Sequence, residues 1–192
     1  ATLGAMKILR SVTQQFMQSS SPKVPTGFQQ IARVKVGGQM FMPILYWLLI
    51  ALVLYIVSKK TVFGRHVFAV GSNEKTSRLS GINVNRVKLG VYALMGAVVA
   101  IAAVLQVSRI GAMDPANAGS GYELDSIAAV IVGGTSMSGG KGSVVGTVFG
   151  MLIIAVMNNL LNLLGVPPFL REAFKGAIII AAVLLQRKSS DN

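Results

Sequence analysis

The stretch GGTSMSGGKGS, residues 133–143, contains the residue types of a phosphate-binding loop. In such a loop the glycines free backbone N–H groups to bind phosphate, and a lysine adds positive charge. The full pattern is a glycine, four residues of any type, a second glycine, a lysine, and then a serine or threonine. Thr135 and Gly142 occupy the first and the last of these positions here, so we do not expect a nucleotide to bind at Gly140 and Lys141.

The ionisable residues do not form the arrangement of an enzyme active site. Glu123 and Asp125 are two residues apart, and side chains at this spacing do not face each other on a helix. His66 is the only histidine and cysteine is absent, so neither a histidine cluster nor thiolate ligands can hold a metal ion. We therefore predict that this chain is not an enzyme and contains no catalytic residue, cofactor site or metal site.

Glycines and asparagines inside apolar stretches favour a different role, in helix packing. Gly142, Gly146 and Gly150 recur every four residues, so we expect them to line one helix face and let another helix approach closely in lipid. Asn158 and Asn162 share a helix face one turn apart. Buried amides need hydrogen-bond partners, so these two either bond a neighbouring helix or line the path of a polar substrate.

The composition places these residues in a membrane. Of 192 residues, 53% are hydrophobic and only 12% are charged, which is less charge than a soluble domain needs. Charge-free runs cover residues 36–58, 89–108 and 142–170, and a membrane-spanning helix needs about 20 apolar residues. Because lipid offers no partners to backbone N–H and C=O groups, each span must be helical. We predict an all-α fold, that of a polytopic helical membrane protein.

The expected fold has about five membrane-embedded helices. Residues 126–140 are apolar but short and end in glycines, so this segment is expected to be broken or re-entrant. Residues 3–16 also fit a partly apolar helix, and residues 18–38 are expected to form an outer loop of turn-forming residues. The five predicted embedded segments are 41–58, 89–107, 126–140, 143–160 and 169–186.

The positive charge predicts the orientation of the helices. Lys and Arg are concentrated between residues 59 and 88, and short basic loops stay on the cytoplasmic side. This accounts for the net charge of +12 without a nucleic-acid partner, and the basic ending places the C-terminus inside as well. Asp125 would then be external. Arg171 and Lys175, one turn apart on the last helix, are expected to extend outward to the membrane surface.

The polar stretch GSNEKTSRLSGINVNRVK, residues 71–88, predicts a short helix, then a turn at a glycine, and then the start of a membrane helix. Asn73 is a candidate helix cap, and Glu74 in the first turn favours the helix dipole. Leu79 would supply an apolar contact and Gly81 would stop the helix. Asn83 or Asn85 would then cap the following membrane helix. These residues alone leave open whether the stretch is a connector or a docking surface.

Three motifs resemble one family over nearly the whole chain. They are GRHVFAVGSNEKTSRLSGINVNRVK, GSGYELDSIAAVIVGGTSMSGGKGSVVGTVFG and NNLLNLLGV, and they resemble the permease subunit of bacterial ABC importers for ribose, galactose, xylose and related monosaccharides. The opening ATLGAMKILR resembles an internal segment of that family. We therefore expect the chain to be the C-terminal portion of a longer permease, with residues 1–192 forming one transmembrane permease domain.

The resemblance implies a complex in the bacterial inner membrane. A second permease copy, an ATP-binding cassette subunit below and a periplasmic sugar-binding protein above would be the partners, and the separate ATPase would bind ATP and magnesium. The cytoplasmic loop 59–88 would carry the coupling segment, residues 71–82, with the coupling helix from Glu74 to Leu79. In this helix Lys75, Thr76 and Ser77 depart from the alanines frequent in the family. The residues expected to dock on the ATPase are Asn73, Glu74, Lys75, Thr76, Ser77, Arg78, Leu79 and Gly81.

Other functions remain open from the sequence. A permease for branched-chain amino acids would share this architecture. A channel or secondary transporter would need an ion path or an acidic side chain inside the membrane. None of the charge-free runs contains an acidic residue. A structural membrane scaffold would show no substrate-dependent ATP hydrolysis.

Overall fold

The structure is a computed structural model that describes residues 2–17, 24–33, 42–112, 118–167, 170–171, 173–178 and 180. Every regular element in these ranges is an α-helix, which confirms the predicted all-α fold. The helices in chain order are α1 (Thr2–Met17), α2 (Thr26–Arg33), α3 (Met42–Lys60), α4 (Val62–Ser72), α5 (Glu74–Leu79), α6 (Val84–Ile110), α7 (Tyr122–Val132) and α8 (Val144–Leu163).

Three of the described helices are long and apolar enough to cross a membrane. They are α3, α6 and α8, with 19, 27 and 20 residues, and they match three of the predicted spans. At 1.5 Å per residue, α6 extends about 40 Å, which exceeds the roughly 30 Å of hydrocarbon in a bilayer. The predicted total of five embedded helices is not confirmed. Of the last predicted helix, the described residues between 170 and 180 are helical, and the rest lies outside the described part of the chain.

Two helices lie where the sequence predicts loops. Within the expected outer loop 18–38, α2 begins directly after Pro25, whose carbonyl accepts hydrogen bonds from Phe28 and Gln29. Proline is tolerated at a helix start because the first N–H groups have no helical partner. Within the basic loop, α4 begins after Thr61, whose side chain accepts from the Gly64 N–H at 3.1 Å. This cap was the overlooked signal for α4.

The chain divides into two compact units, residues 1–49 with 94–120, and residues 50–93 with 121–192. In the first unit, the fully buried Ser108 donates its hydroxyl to the Phe28 carbonyl at 2.8 Å. The Val24 N–H donates to the Gly111 carbonyl at 3.2 Å, and Arg10 donates to the Ala118 carbonyl at 3.3 Å. These bonds hold α1 and α2 to the end of α6 and to the turn before α7.

The core of the second unit is a hairpin of α7 and α8. Ala128, Ala129 and Ile154 are buried in this hairpin, with Val132 and Met157 packed around them. Ala and Gly at the contact let the two backbones approach closely, as in membrane helix pairs generally. The buried cluster lies on one face of each helix, so most large apolar side chains on the other face of α8 are exposed and available to lipid.

Two of the three regularly spaced glycines form the hairpin contact. A Cβ atom on Gly150 would overlap the Ala129 carbonyl, and one on Gly146 would overlap the Gly133 carbonyl. The expectation that Gly142 shares this helix face is wrong, because α8 begins at Val144. Gly142 precedes the helix and lies against Thr135, whose methyl carbon would be 3.0 Å from an added Cβ.

Glycines also end α7 after Val132, within the segment predicted to be broken. Gly134 has φ +80°, a left-handed conformation that favours glycine. Its N–H donates to the Ile131 carbonyl at 2.9 Å, and the Thr135 N–H donates to the Val130 carbonyl at 3.1 Å. This pair of bonds is the Schellman motif, which satisfies the last carbonyls of a helix. With 11 residues, α7 extends only about 16 Å.

Candidate functional site

The six-residue helix α5 is fixed at its start by Asn73. The Asn73 side chain accepts a hydrogen bond from the Thr76 N–H at 3.1 Å, as the sequence predicts. The Asn73 backbone N–H donates to the Ala69 carbonyl at 3.0 Å, so the same residue also ends α4. With a single residue serving both helices, α4 and α5 meet in an abrupt corner that leaves no flexible linker between them.

The end of α5 is fixed by a second Schellman motif. Gly81 has φ +81°, and its N–H donates to the Arg78 carbonyl at 3.1 Å. The Ile82 N–H donates to the Ser77 carbonyl at 3.1 Å. Asn83 then caps α6 by accepting from the Arg86 N–H at 3.1 Å, which decides between the two caps that the sequence allowed.

The outer surface of α5 is accessible. Ser77 is buried, whereas Leu79 is 90% exposed, so the described residues do not provide the apolar contact expected for Leu79. An open groove of about 620 Å³ lies beside Leu79 and is lined by Glu74, Lys75 and Arg78. An isolated exposed leucine is common, but this one stands at the end of a helix that is capped at both ends.

Glu74 ties α5 to the start of α6. Its carboxylate accepts from Lys88 Nζ at 2.7 Å and from Arg78 Nη2 at 3.1 Å. The hydrogen bond and charge of Lys88, aided by Arg78, lower the pKa of Glu74 below its ordinary value of 4.5, against a smaller opposing effect of desolvation. All three side chains are substantially exposed, so solvent and salt weaken these ion pairs.

The lowered pKa of Glu74 predicts a small, pH-dependent contribution to stability. It is fully present above pH 4.5 and is lost as the pH falls through the lower pKa of the folded state. Between pH 7 and pH 3, we expect the unfolding temperature of the purified protein to fall more in the unmodified protein than in Glu74→Gln. Thermal unfolding at both pH values measures the difference, and an equal fall in both proteins would contradict it.

The stretch that resembles a phosphate-binding loop contacts the end of α4 by its backbone. A Cβ atom on Gly71 would lie 2.9 Å from the Gly140 nitrogen, and one on Gly140 would lie 2.8 Å from the Ser72 Cα. Gly139 and Gly140 have φ values of +85° and +73°, so these glycines meet both a conformational and a steric requirement. We call this contact of Gly71 and Ser72 with Gly139 and Gly140 the glycine joint.

The glycine joint links the segment before α5 to the α7–α8 hairpin. The loop from residue 133 to 143 is closed on itself, since the Ser136 N–H donates to the Lys141 carbonyl at 2.9 Å and the Gly139 N–H donates to the Ser136 carbonyl at 3.1 Å. From the sequence, Gly139 and Gly140 were predicted only to end a broken or re-entrant segment, residues 126–140. Neither segment has a local signal that its backbone meets the other, so this contact could not be predicted from the sequence.

The two predicted pathway residues on α8 differ in environment. Asn162 is exposed, whereas the side-chain oxygen Oδ1 of Asn158 is buried and has no hydrogen-bond partner among the described residues. A buried acceptor without a partner carries a desolvation cost of about 1–3 kcal/mol. Of the two side chains, Asn158 therefore has the greater need of a hydrogen-bond donor from outside the described residues. A substrate hydroxyl or a neighbouring helix could supply this donor.

Asp125 and Lys175 form a buried ion pair that was not predicted from the sequence. Lys175 Nζ lies 2.8 Å from Asp125 Oδ1, and the two side chains are only 10% and 21% exposed. The expectation that Lys175 extends to the membrane surface is wrong, because its ammonium group points inward to the carboxylate of α7. Asp125 likewise lies on α7 and is largely buried. Arg171 donates from Nε to the Val166 carbonyl at 2.8 Å.

The fold and this site define a helical membrane protein with a short, rigid, exposed helix in the loop between two long apolar helices. The chain belongs to the family described as "Branched-chain amino acid transport system / permease component", which matches residues 2–183. This membership agrees with the predicted class of protein, a membrane permease.

Curated relatives of the chain are sugar permeases. It is 42% identical over 194 residues to the ribose import permease protein RbsC of Escherichia coli strain K12, which covers 98% of this chain and 60% of that protein. It is 43% identical over 193 residues to RbsC of Bacillus subtilis strain 168, with 99% and 59% covered. The xylose transport system permease protein XylH of Haemophilus influenzae strain Rd is 46% identical over 141 residues, with 73% and 37% covered.

The chain therefore spans about 60% of the length of the RbsC proteins that it matches. No solved structure matches it.

Proposed function

We propose that this chain belongs to the permease subunit of an ATP-driven importer that carries a monosaccharide across the bacterial inner membrane. The observation that carries this proposal is α5, a helix capped by Asn73 and Gly81 that presents Leu79 to solvent. A rigid exposed helix directly before a long apolar helix can transmit the movement of a soluble partner to the membrane helices. Relatives named as ribose and xylose permeases support the same function.

The partner at α5 would be an ATP-binding cassette subunit. It would bind ATP and magnesium and hydrolyse the ATP, while α5 transmits its movement as a rigid lever to the membrane helices. The docking residues are those of the sequence prediction, and Glu74, Lys75, Arg78 and Leu79 line the groove at their centre. The loop 59–88 and the C-terminus would face the cytoplasm, as their Lys and Arg content favours.

The remaining partners follow from the same proposal. A second permease copy, identical or homologous, would complete the translocation pathway, and a periplasmic sugar-binding protein would deliver the substrate from the other side. Asn158 and Asn162 are the proposed contacts of the substrate pathway within this chain. Support for Asn158 is its buried side-chain oxygen, which has no partner among the described residues and could accept a hydrogen bond from a sugar hydroxyl.

A branched-chain amino acid is the second candidate substrate, because the family description names that class. The chain's 40–46% identity to ribose and xylose permeases favours the sugar. Uptake of radiolabelled ribose, xylose and leucine into cells that express the complete transporter separates the two. Uptake of leucine alone would overturn the sugar proposal.

The docking assignment predicts that Leu79→Glu weakens binding of the ATPase. The matched control is Val62→Glu, since Val62 is also an exposed apolar residue of this loop but lies outside α5. A buried apolar anchor at an interface is commonly worth more than 1 kcal/mol, so we expect about tenfold less ATPase to co-purify with Leu79→Glu. Val62→Glu should retain it, because an acidic residue is tolerated in the first turn of a helix.

The experiment uses the complete gene product that contains this chain, co-expressed with its ATPase and purified in detergent. Deletion of residues 74–79 serves as a second variant, and membrane insertion is measured for each. If the ATPase co-purifies equally with Leu79→Glu and with the deletion variant, α5 is not the docking site.

A further inference from the structure

The depth of the Asp125–Lys175 ion pair follows from the register of the α7–α8 hairpin. Gly133 lies against Gly146, and Ala129 lies against Gly150, so the two helices run antiparallel. One turn before Ala129, Asp125 is level with Ile154 of α8. Ile154 lies about 15 Å along a helix of about 30 Å. The ion pair is therefore at half the height of a helix long enough to cross the membrane.

Burial of charged side chains at this depth costs free energy, and this cost must be offset by another interaction. An ammonium and a carboxylate removed from water recover the desolvation cost only through close contact with each other. Ionisable residues within membrane segments are consequently rare and mark functional positions more often than structural ones. The observed distance of 2.8 Å and the low exposure of both side chains meet the requirement for close contact.

The opposite end of the same hairpin contacts the docking segment. From Asp125, α7 runs to Val132 and continues into the loop that carries Gly139 and Gly140. These two glycines form the glycine joint with Gly71 and Ser72, which directly precede Asn73 and α5. Helix α7 with its loop is therefore held at two places, by the glycine joint at one end and by Lys175 at half the height of α8.

We infer that α7 and its glycine loop carry the movement of the docking helix to the middle of the membrane, with the Asp125–Lys175 ion pair as the inner attachment. Asp125 and Lys175 are positioning residues for transport, since they act through α7. Without the ion pair, the loop moves with the docking helix but the movement does not reach the helix that contains Lys175. This inference rests on the proposed function.

The test is a charge exchange in the complete transporter, reconstituted in liposomes with its ATPase and the sugar-binding protein. The variants are Asp125→Lys, Lys175→Asp and the double exchange. Each single variant places two like charges together at low dielectric, and we expect the ATP hydrolysed per sugar imported to rise about tenfold. The double exchange restores the opposite charges and should return this ratio to within about threefold of the unmodified protein.

A neutral double variant, Asp125→Leu with Lys175→Met, separates positioning from folding. Replacing both members of a buried ion pair by apolar residues of similar volume often leaves stability unchanged, so the amount of folded protein should stay near normal while the ratio of ATP to sugar rises. A normal ratio in this variant would overturn the inference. So would a changed KM for sugar at a normal ratio, which would make the pair a substrate contact, or a double exchange no better than the single variants.

These outcomes are separable from failure of the proposed function itself. ATPase binding to the unmodified permease tests the proposed function, and it is measured in the same preparations. If the ATPase binds and sugar import depends on ATP, but the neutral variant remains coupled, then only the role of Asp125 and Lys175 is refuted.

Discussion

Gly150→Val is expected to force α7 and α8 apart and to lower the free energy of unfolding of the permease by about 3 kcal/mol. The reason is that a single Cβ atom on Gly150 would already overlap the Ala129 carbonyl and would lie 2.9 Å from the Gly133 nitrogen. Both neighbours are backbone atoms of α7 and its glycine corner, so no side-chain rotation can relieve the overlap. The two helices must separate, which also exposes the buried cluster around Ile154.

The matched control is Gly96→Val on α6, where no described atom outside its own helix lies within 4 Å of an added Cβ. Both variants place a β-branched residue in an apolar helix, so differences in helix propensity cancel. We expect the control to change the free energy of unfolding by less than about 0.5 kcal/mol. Thermal unfolding of the detergent-purified protein measures both variants, and equal losses would show that Gly150 is not a site of close packing.

The elements that the sequence predicted well are those encoded by local signals. The caps at Asn73 and Asn83 and the stop at Gly81 act over three or four residues, and the structure contains each of them. The long apolar helices α3 and α8 depend on composition over a window of about 20 residues, and they lie within a few residues of their predicted bounds. Both kinds of signal can be recognised without knowing the fold.

The features that the sequence did not predict depend on residues far apart in the chain. Lys175 was expected at the membrane surface because an isolated lysine reaches water most cheaply in that way. When a carboxylate on another helix lies within reach, the lysine can form an ion pair instead, and this pair satisfies both charges inside the protein. In the same way, nothing local to Gly71 or Gly140 indicates that their backbones touch. The candidate docking helix was thus predictable, whereas its connection to the membrane helices was not.

Together with the proposed function, the glycine joint predicts that Gly71→Ala lowers sugar import about tenfold while the proposed ATPase partner remains bound. A methyl group on Gly71 would lie 2.9 Å from the Gly140 nitrogen, a backbone atom in a loop closed by its own hydrogen bonds. The end of α4 and the loop must therefore separate. Because Leu79 and the groove of α5 lie beyond Asn73 and do not form this contact, docking should persist. Import into liposomes and co-purified ATPase, measured on the same preparation, report the two effects separately.

Gly140→Ala should reproduce this effect from the other side of the joint, since its Cβ would lie 2.8 Å from the Ser72 Cα. The control is Gly27→Ala on α2, where no atom of the other described residues lies within 4 Å of an added Cβ, and its import should be normal. Because Gly140 also has φ +73°, Gly140→Ala combines contact with backbone strain, whereas Gly71→Ala tests contact alone. Normal import in Gly71→Ala would mean that the joint does not carry the movement of α5, and loss of the ATPase would place Gly71 in the docking surface instead.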